Sequence, residues 1–236
     1  FKTCPAMDII IKGEGEAAMD RLVHALADHR AAKKDTRDKD GLPREFTQTL
    51  KRIPGLAFRS FQAIHDTGPA DLIRDLDTLP HPSRYFTYQH LAMSRGCPGR
   101  CTFCGSPKFW GTKQVRRHSP DWFFEEIKTL TQKGVTHFFI SDDTFTMDKD
   151  AVTALCEKII HSGLSITWNA ISRVDYIDED ILSAMRRAGC IQISFGVESG
   201  AARIKKVLGK PIDNELCIRT FDKVRSFGIL PRAYFI

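Results

Sequence analysis

The stretch His90-Leu91-Ala92-Met93-Ser94-Arg95-Gly96-Cys97-Pro98-Gly99-Arg100-Cys101-Thr102-Phe103-Cys104 decides the reading of this chain. Residues 90–94 read as a strand that runs directly into three cysteines spaced C-x3-C-x2-C. Four-iron clusters that only carry electrons are held by four cysteines, one per iron. Three thiolates on one tight loop leave an iron open to a ligand from outside the protein, and an open iron is where chemistry takes place. Zinc is the plainer alternative, but zinc loops join C-x2-C or C-x4-C to a second set of ligands further on. Here Cys4, Cys156, Cys190 and Cys217 stand alone, and His118 has no partner at ligand spacing. A non-catalytic iron–sulfur or zinc protein is the rival reading.

Working outward, strand-like and helix-like segments alternate. Ser119-Pro120-Asp121 predicts a helix start: a serine cap, a proline in the first turn and an acid at the positive end of the dipole. Trp122, Phe123, Ile127 and Leu130 then mark one face at helical spacing, and Gly134 ends the helix. Strands are expected at 135–140, 166–170 and 190–197, and helices at 148–161, 178–187 and 213–226. Gly189 and Gly228 stop the last two helices, and a fifth strand starts at 232. This alternation argues for parallel βα units. In such folds the strands end at one face, where α/β barrels carry their sites.

The cysteine spacing, with Phe103 supplying an aromatic residue just before the third cysteine, resembles the signature of the radical S-adenosylmethionine superfamily. That resemblance implies an α/β fold, a partial (βα)6 TIM-like barrel, incomplete at its C-terminus, over residues 88–236. It implies a [4Fe-4S] cluster on Cys97, Cys101 and Cys104, with S-adenosylmethionine chelated at the open iron and cleaved to methionine and a 5'-deoxyadenosyl radical. It also assigns residues at the strand ends. In Ser141-Asp142-Asp143-Thr144-Phe145, Asp143 stands where the family has the acid of Gly-Gly-Glu, with Asp142 next in line. The chain departs from the Gly-Gly pattern there, and both acids also suit a loop or helix cap.

Arg173 is expected to reach the methionine carboxylate, with a pairing to Asp175 as its plainer role. Phe195-Gly196-Val197-Glu198-Ser199-Gly200 resembles the family's Gly-Val-Glu-Ser-Gly stretch. By that resemblance Glu198 accepts from ribose hydroxyls, and Ser199 sits at the cofactor site or caps the next helix.

The first third has its own pattern. Residues 7–12 read as a strand entering Gly13-Glu14-Gly15-Glu16, followed by a helix over 17–29 and a short strand over 53–59. Residues 76–84 read as an extended connector stiffened by Pro80 and Pro82. This order resembles the tail of the Rossmann-like cobalamin-binding domain in B12-type radical S-adenosylmethionine proteins. The domain reading is therefore 1–75 as that remnant, 76–87 as linker and 88–236 as the radical domain, the whole truncated at both ends. The cobalamin motif of that family would precede Phe1, so cobalamin is a candidate cofactor of the full-length parent. His24 and His29 match no motif and read as ordinary helix residues.

Bulk properties narrow the setting. With 236 residues, 42% of them hydrophobic, the chain can bury a large core. Thirty-five basic against 29 acidic residues leave +6, but the charges interleave, as over 30–40, without the basic stripe that nucleic acid requires. No apolar run approaches the ~18 residues of a membrane span. Seven cysteines, three at cluster spacing, fit a reducing cytoplasm better than a disulfide framework. Phe1-Lys2-Thr3-Cys4-Pro5 has neither an initiating Met nor a signal-peptide layout.

The resemblance implies a small-molecule substrate and a flavodoxin or ferredoxin as electron donor. Methylation through cobalamin is the first outcome it suggests, and oxidative ring formation on a tetrapyrrole-like substrate the second. A methylthiotransferase is a further alternative, set aside because only Cys4 precedes the barrel, where that family carries three cysteines.

Overall fold

The computed structural model describes residues 7–31, 42–60 and 63–236. Cys4 and most of the mixed-charge stretch, residues 32–40, lie outside the described residues. The chain divides into two compact units, one running to Arg74 with Phe109–Gly111, the other comprising Asp75–Lys108 and Thr112–Ile236.

In the first unit, β1 (Ile9–Ile11), β2 (Leu56–Ser60) and β3 (Ala63–Asp66) form an antiparallel sheet with β2 in the centre. The described residues here contain no parallel βαβ repeat. Helices α1 (Glu16–Ala31) and α2 (Arg44–Leu50) bury Leu22, Phe46 and Leu50 with Leu56 and Phe58 of the sheet. Gly55 has φ +84°, and a Cβ on it would sit 2.7 Å from that of Ala70, so only glycine lets the two segments pass. Glu14 is buried and accepts the Ile73 N–H at 2.8 Å. His24 is exposed beside Asp20, and His29 stacks on Phe46.

The second unit is built on a five-stranded parallel sheet. In chain order its elements are β4 (His90–Leu91), β5 (Ser94–Arg95), α3 (Ser106–Trp110, whose last two residues group with the first unit), β6 (Arg116–Arg117), α4 (Pro120–Gln132), β7 (His137–Ile140) and α5 (Lys149–Ser162). There follow β8 (Thr167–Ser172), α6 (Glu179–Arg187), β9 (Cys190–Glu198), α7 (Ala202–Val207), α8 (Asn214–Ser226) and β10 (Leu230–Phe235). The spatial order β4-β7-β8-β9-β10 follows the sequence, and every pairing is parallel. Consecutive βα units laid side by side form an arc of a barrel wall, as expected, rather than a doubly wound sheet.

Local signals account for the helices. Ser119, Asp148, Asp178 and Asp213 each accept a backbone N–H in the first turn, from Trp122, Ala151, Ile181 and Leu216. Such caps contribute ~1 kcal/mol apiece. The helices cover one face of the sheet, burying Phe123, Ile127 and Leu130 of α4, Leu155 of α5 and Leu182 of α6 on Phe138, Trp168, Ile193 and Phe195. Trp168 satisfies its indole N–H on the Ala188 carbonyl at 2.8 Å. Cys156, Cys190 and Cys217 are buried thiols in this core.

Two expectations need correction. The strand expected over 90–94 ends at Leu91, because the Asp142 carboxylate takes the N–H groups of Met93 and Ser94 at 2.7 and 2.8 Å. The chain is thereby turned out of the sheet, and β5 pairs with β6 instead. The connector over 76–84 is not extended. It makes two single 3-10 turns, Leu76–Thr78 and Pro82–Arg84, with Leu76 fully buried. The second turn is held by Glu126, a buried carboxylate on the apolar face of α4 that accepts from Ser83 N, Ser83 Oγ, His81 and Tyr88.

Candidate active site at the carboxyl edge of the sheet

Because all five strands run the same way, the loops after β4, β7, β8 and β9 meet at one edge. The cysteine loop follows β4 and β5, and Cys97, Cys101 and Cys104 are all partly exposed. Gly99 N–H points at Cys97 Sγ at 3.4 Å and Ser106 N–H at Cys104 Sγ at 3.5 Å, so two of the sulfurs receive backbone donors. A Cβ on Gly99 would lie 3.2 Å from Cys97 Sγ and 3.9 Å from Cys101 Sγ, which puts both sulfurs beside one point of the loop. Among the described residues, no three His, Cys, Asp or Glu side chains are gathered tightly enough to hold a single metal ion.

The loop is fixed from outside. Thr102 N–H donates to Leu208 O at 3.0 Å and its hydroxyl to Val207 O at 3.2 Å, tying the loop to the end of α7. Gly209 (φ +67°) follows, and a Cβ there would stand 2.6 Å from the Arg100 carbonyl. Burial pushes the Cys101 thiol up, against the pull of the Lys210 and Arg173 charges. Phe103 is 46% exposed and projects from the loop.

The other polar residues singled out in the sequence each engage a neighbour. Asp142 is 2% exposed and its carboxyl is raised to about 6, chiefly by burial, although Ser94 and the Met93 amide pull it down. It therefore shapes the chain entering the loop. Asp143 is exposed on the same turn and accepts the Ser106 hydroxyl at 2.6 Å, two residues beyond Cys104 in the chain. Thr144, the next residue, has its hydroxyl 3.8 Å from Cys97 Sγ.

Arg173 forks onto Asp175, with Nε and Nη2 at 2.9 and 2.6 Å from the two oxygens. Glu198 is buried and paired to Lys210 at 2.7 Å. Ser199 accepts the Ala201 N–H at 3.2 Å. It does not cap α7, which starts from Ala201 without a side-chain cap. His118 is structural: it stacks on Trp122 and faces Asp77, and burial lowers its basicity.

Two residues of the site escaped the sequence reading. Lys210 lies on an unremarkable turn, with only its Gly-Lys context as a signal. Asn169, on β8 at the level of Phe139 and Gln192, keeps a buried Oδ1 without a partner. It faces away from the helices, opposite to Trp168 and Ala170, whose side chains lie in the core.

An arc of parallel βα units with a three-cysteine loop after its first strand defines an α/β barrel-type protein with a sulfur-rich active-site edge. Residues 91–236 match the radical SAM superfamily, and the chain belongs to it. The whole chain is 32% identical to an uncharacterized methyltransferase of Pyrococcus horikoshii, spanning 50% of that protein. It is 34% identical, over 98% of its length, to an anaerobic magnesium-protoporphyrin IX monomethyl ester cyclase of Synechocystis, spanning 45% of it. The chain thus spans about half the length of these curated relatives. In fold it is similar to the cobalamin-dependent S-adenosylmethionine radical enzyme OxsB, solved with aqua-cobalamin bound, with a TM-score of 0.75 at 21% identity. That match covers 97% of this chain and 33% of OxsB. Among the described residues no helix is long and apolar enough to cross a membrane.

Proposed function

We propose that this chain carries the S-adenosylmethionine-cleaving site of a radical enzyme whose intact form transfers a methyl group to an unactivated position with the help of cobalamin. The observation that carries the reading is the loop itself: three partly exposed sulfurs, two of them receiving backbone N–H groups, at the carboxyl edge of a parallel sheet. This donor set fits a [4Fe-4S] cluster on Cys97, Cys101 and Cys104. With S-adenosylmethionine bound, such a cluster supplies the single electron that breaks the sulfonium into methionine and a 5'-deoxyadenosyl radical.

The protein's own residues bind and orient. Glu198 presents a carboxylate oxygen to the ribose hydroxyls from the end of β9. Asp143 is an exposed acceptor bonded to Ser106, just after the cysteine loop, and suits the methionine amino group. Arg173 brings positive charge to the methionine carboxylate, which shares it with Asp175. Phe103 covers the loop with an aromatic face, and Ser199 shapes the turn that carries Glu198. The electron comes from a flavodoxin or ferredoxin, in a reducing cytoplasm, and the substrate is a small molecule. Ring closure on a tetrapyrrole is the second reading, favoured by the 34% identity to a protoporphyrin ester cyclase.

Anaerobic reconstitution with iron and sulfide tests the site. The expected result is a ~400 nm band and an electron paramagnetic resonance signal that changes on adding S-adenosylmethionine, with 5'-deoxyadenosine formed after reduction. Cys97→Ala, Cys101→Ala or Cys104→Ala is expected to abolish both. Continued 5'-deoxyadenosine formation in any of the three would overturn the assignment.

A further inference from the structure

The end of β9 holds an ion pair that no motif announces. Glu198 has φ +65°, a left-handed conformation that non-glycine residues rarely adopt. The register against β10 slips at the same place: Tyr234 pairs with Gly196 and Phe235 with Glu198. Lys210 Nζ donates to Glu198 Oε1 at 2.7 Å, and the two residues are 8% and 7% exposed. Both heads lie over Gly196, where a Cβ would stand 2.2 Å from Oε1 and 2.4 Å from Nζ. Among the described residues Glu198 Oε2 has no protein donor. Strained backbone of this kind persists only where its surroundings hold it, and it concentrates at ligand sites. Lys210 arrives on the turn that also braces the cysteine loop, directly after Gly209.

We propose that Lys210 is a positioning residue of the adenosyl subsite: it binds one oxygen of Glu198 over Gly196 and leaves the other to accept the ribose hydroxyls. This rests on the reading of the sheet edge as the S-adenosylmethionine site. Gly196 belongs to the device, since any side chain there evicts one of the two charged heads.

The test compares 5'-deoxyadenosine with 2',5'-dideoxyadenosine, bound to the full chain and followed by calorimetry. Neither ligand needs a cluster. The wild type is expected to prefer the intact ribose by roughly tenfold, the scale of one hydrogen bond to a charged group. Lys210→Met and Glu198→Gln are each expected to erase that preference, and Lys210→Arg to restore most of it. A merely structural role would weaken both nucleosides equally. The Lys210→Met/Glu198→Gln double variant removes the unpaired buried charge, so its melting temperature is expected to recover while the preference stays lost. A Lys210→Met chain that folds and keeps the full preference overturns the proposal. A wild type that binds neither nucleoside removes the adenosyl reading of the edge, and Lys210's role with it.

Discussion

Arg173 and Asp175 share two hydrogen bonds across a single intervening residue, each guanidinium nitrogen serving a different carboxylate oxygen. Burial pushes the Asp175 carboxyl up, but the Arg173 bonds outweigh it and hold the group below its usual range. A ligand carboxylate arriving at Arg173 must therefore share a fork that is already filled. Half-exposed pairs of this kind contribute about 0.5 kcal/mol. Asp175→Asn is expected to lower the half-saturating S-adenosylmethionine concentration about twofold, and Arg173→Gln to raise it. Titration of the reduced, reconstituted chain by electron paramagnetic resonance measures both.

Asp142 gives the fold a pH dependence. Its folded-state carboxyl titrates at about 6 because it is buried. Below about pH 4 the folded and unfolded states are both protonated at this group. Between there and about pH 6 the unfolded chain gives up the proton while the folded chain keeps it, so stability falls as pH rises. Above that window the loss is complete, on the order of 3 kcal/mol at 1.36 kcal/mol per unit. Asp142→Asn is expected to flatten this slope in urea unfolding measured across the window; an unchanged slope would contradict the assignment.

Glu126 is the fastening of the 81–88 segment. Truncation to alanine leaves the Ser83 amide and hydroxyl without their acceptor in a buried place. The cost is expected to be about 3 kcal/mol in chemical denaturation. Glu126→Gln keeps an acceptor and is expected to lose about half as much. An alanine variant within 0.5 kcal/mol of wild type, on the order of a neutral surface change, would show that the segment is held by other contacts.

Gly209 couples α7 to the cysteine loop. Gly209→Ala meets the Arg100 carbonyl at 2.6 Å and must also accept φ +67°. The left-handed backbone alone costs ~1–2 kcal/mol. The expected phenotype is a folded chain, with far-ultraviolet circular dichroism unchanged, that retains less than half of the wild-type iron after reconstitution. Full iron retention would mean that the loop does not depend on this contact.

The helices were readable because their signals are local. Ser119, Asp148, Asp178 and Asp213 announce their helices within three residues, and the apolar spacing of α4 is complete in its own segment. The parallel sheet followed from their alternation with β-branched and aromatic runs. What escaped depends on distant partners. β4 ends early because Asp142, 49 residues on, captures Met93 N–H. The connector folds because Glu126 reaches it, and the one local hint was a carboxylate in the stripe of Phe123, Ile127 and Leu130. Lys210 could not be seen because its importance depends on an atom Gly196 lacks. The order of candidate residues along the edge was legible; which charges are already matched by neighbours was not.

The described thiols fall into two populations that a reagent can tell apart. Cys156, Cys190 and Cys217 are buried, and burial raises all three, Cys156 to about 12, so at neutral pH they offer almost no thiolate to an alkylating agent. The loop sulfurs are partly exposed, although burial raises Cys101 as well. Mass spectrometry after brief exposure to iodoacetamide thus becomes an occupancy gauge, in which protection of the three loop positions reports loading directly and without any turnover.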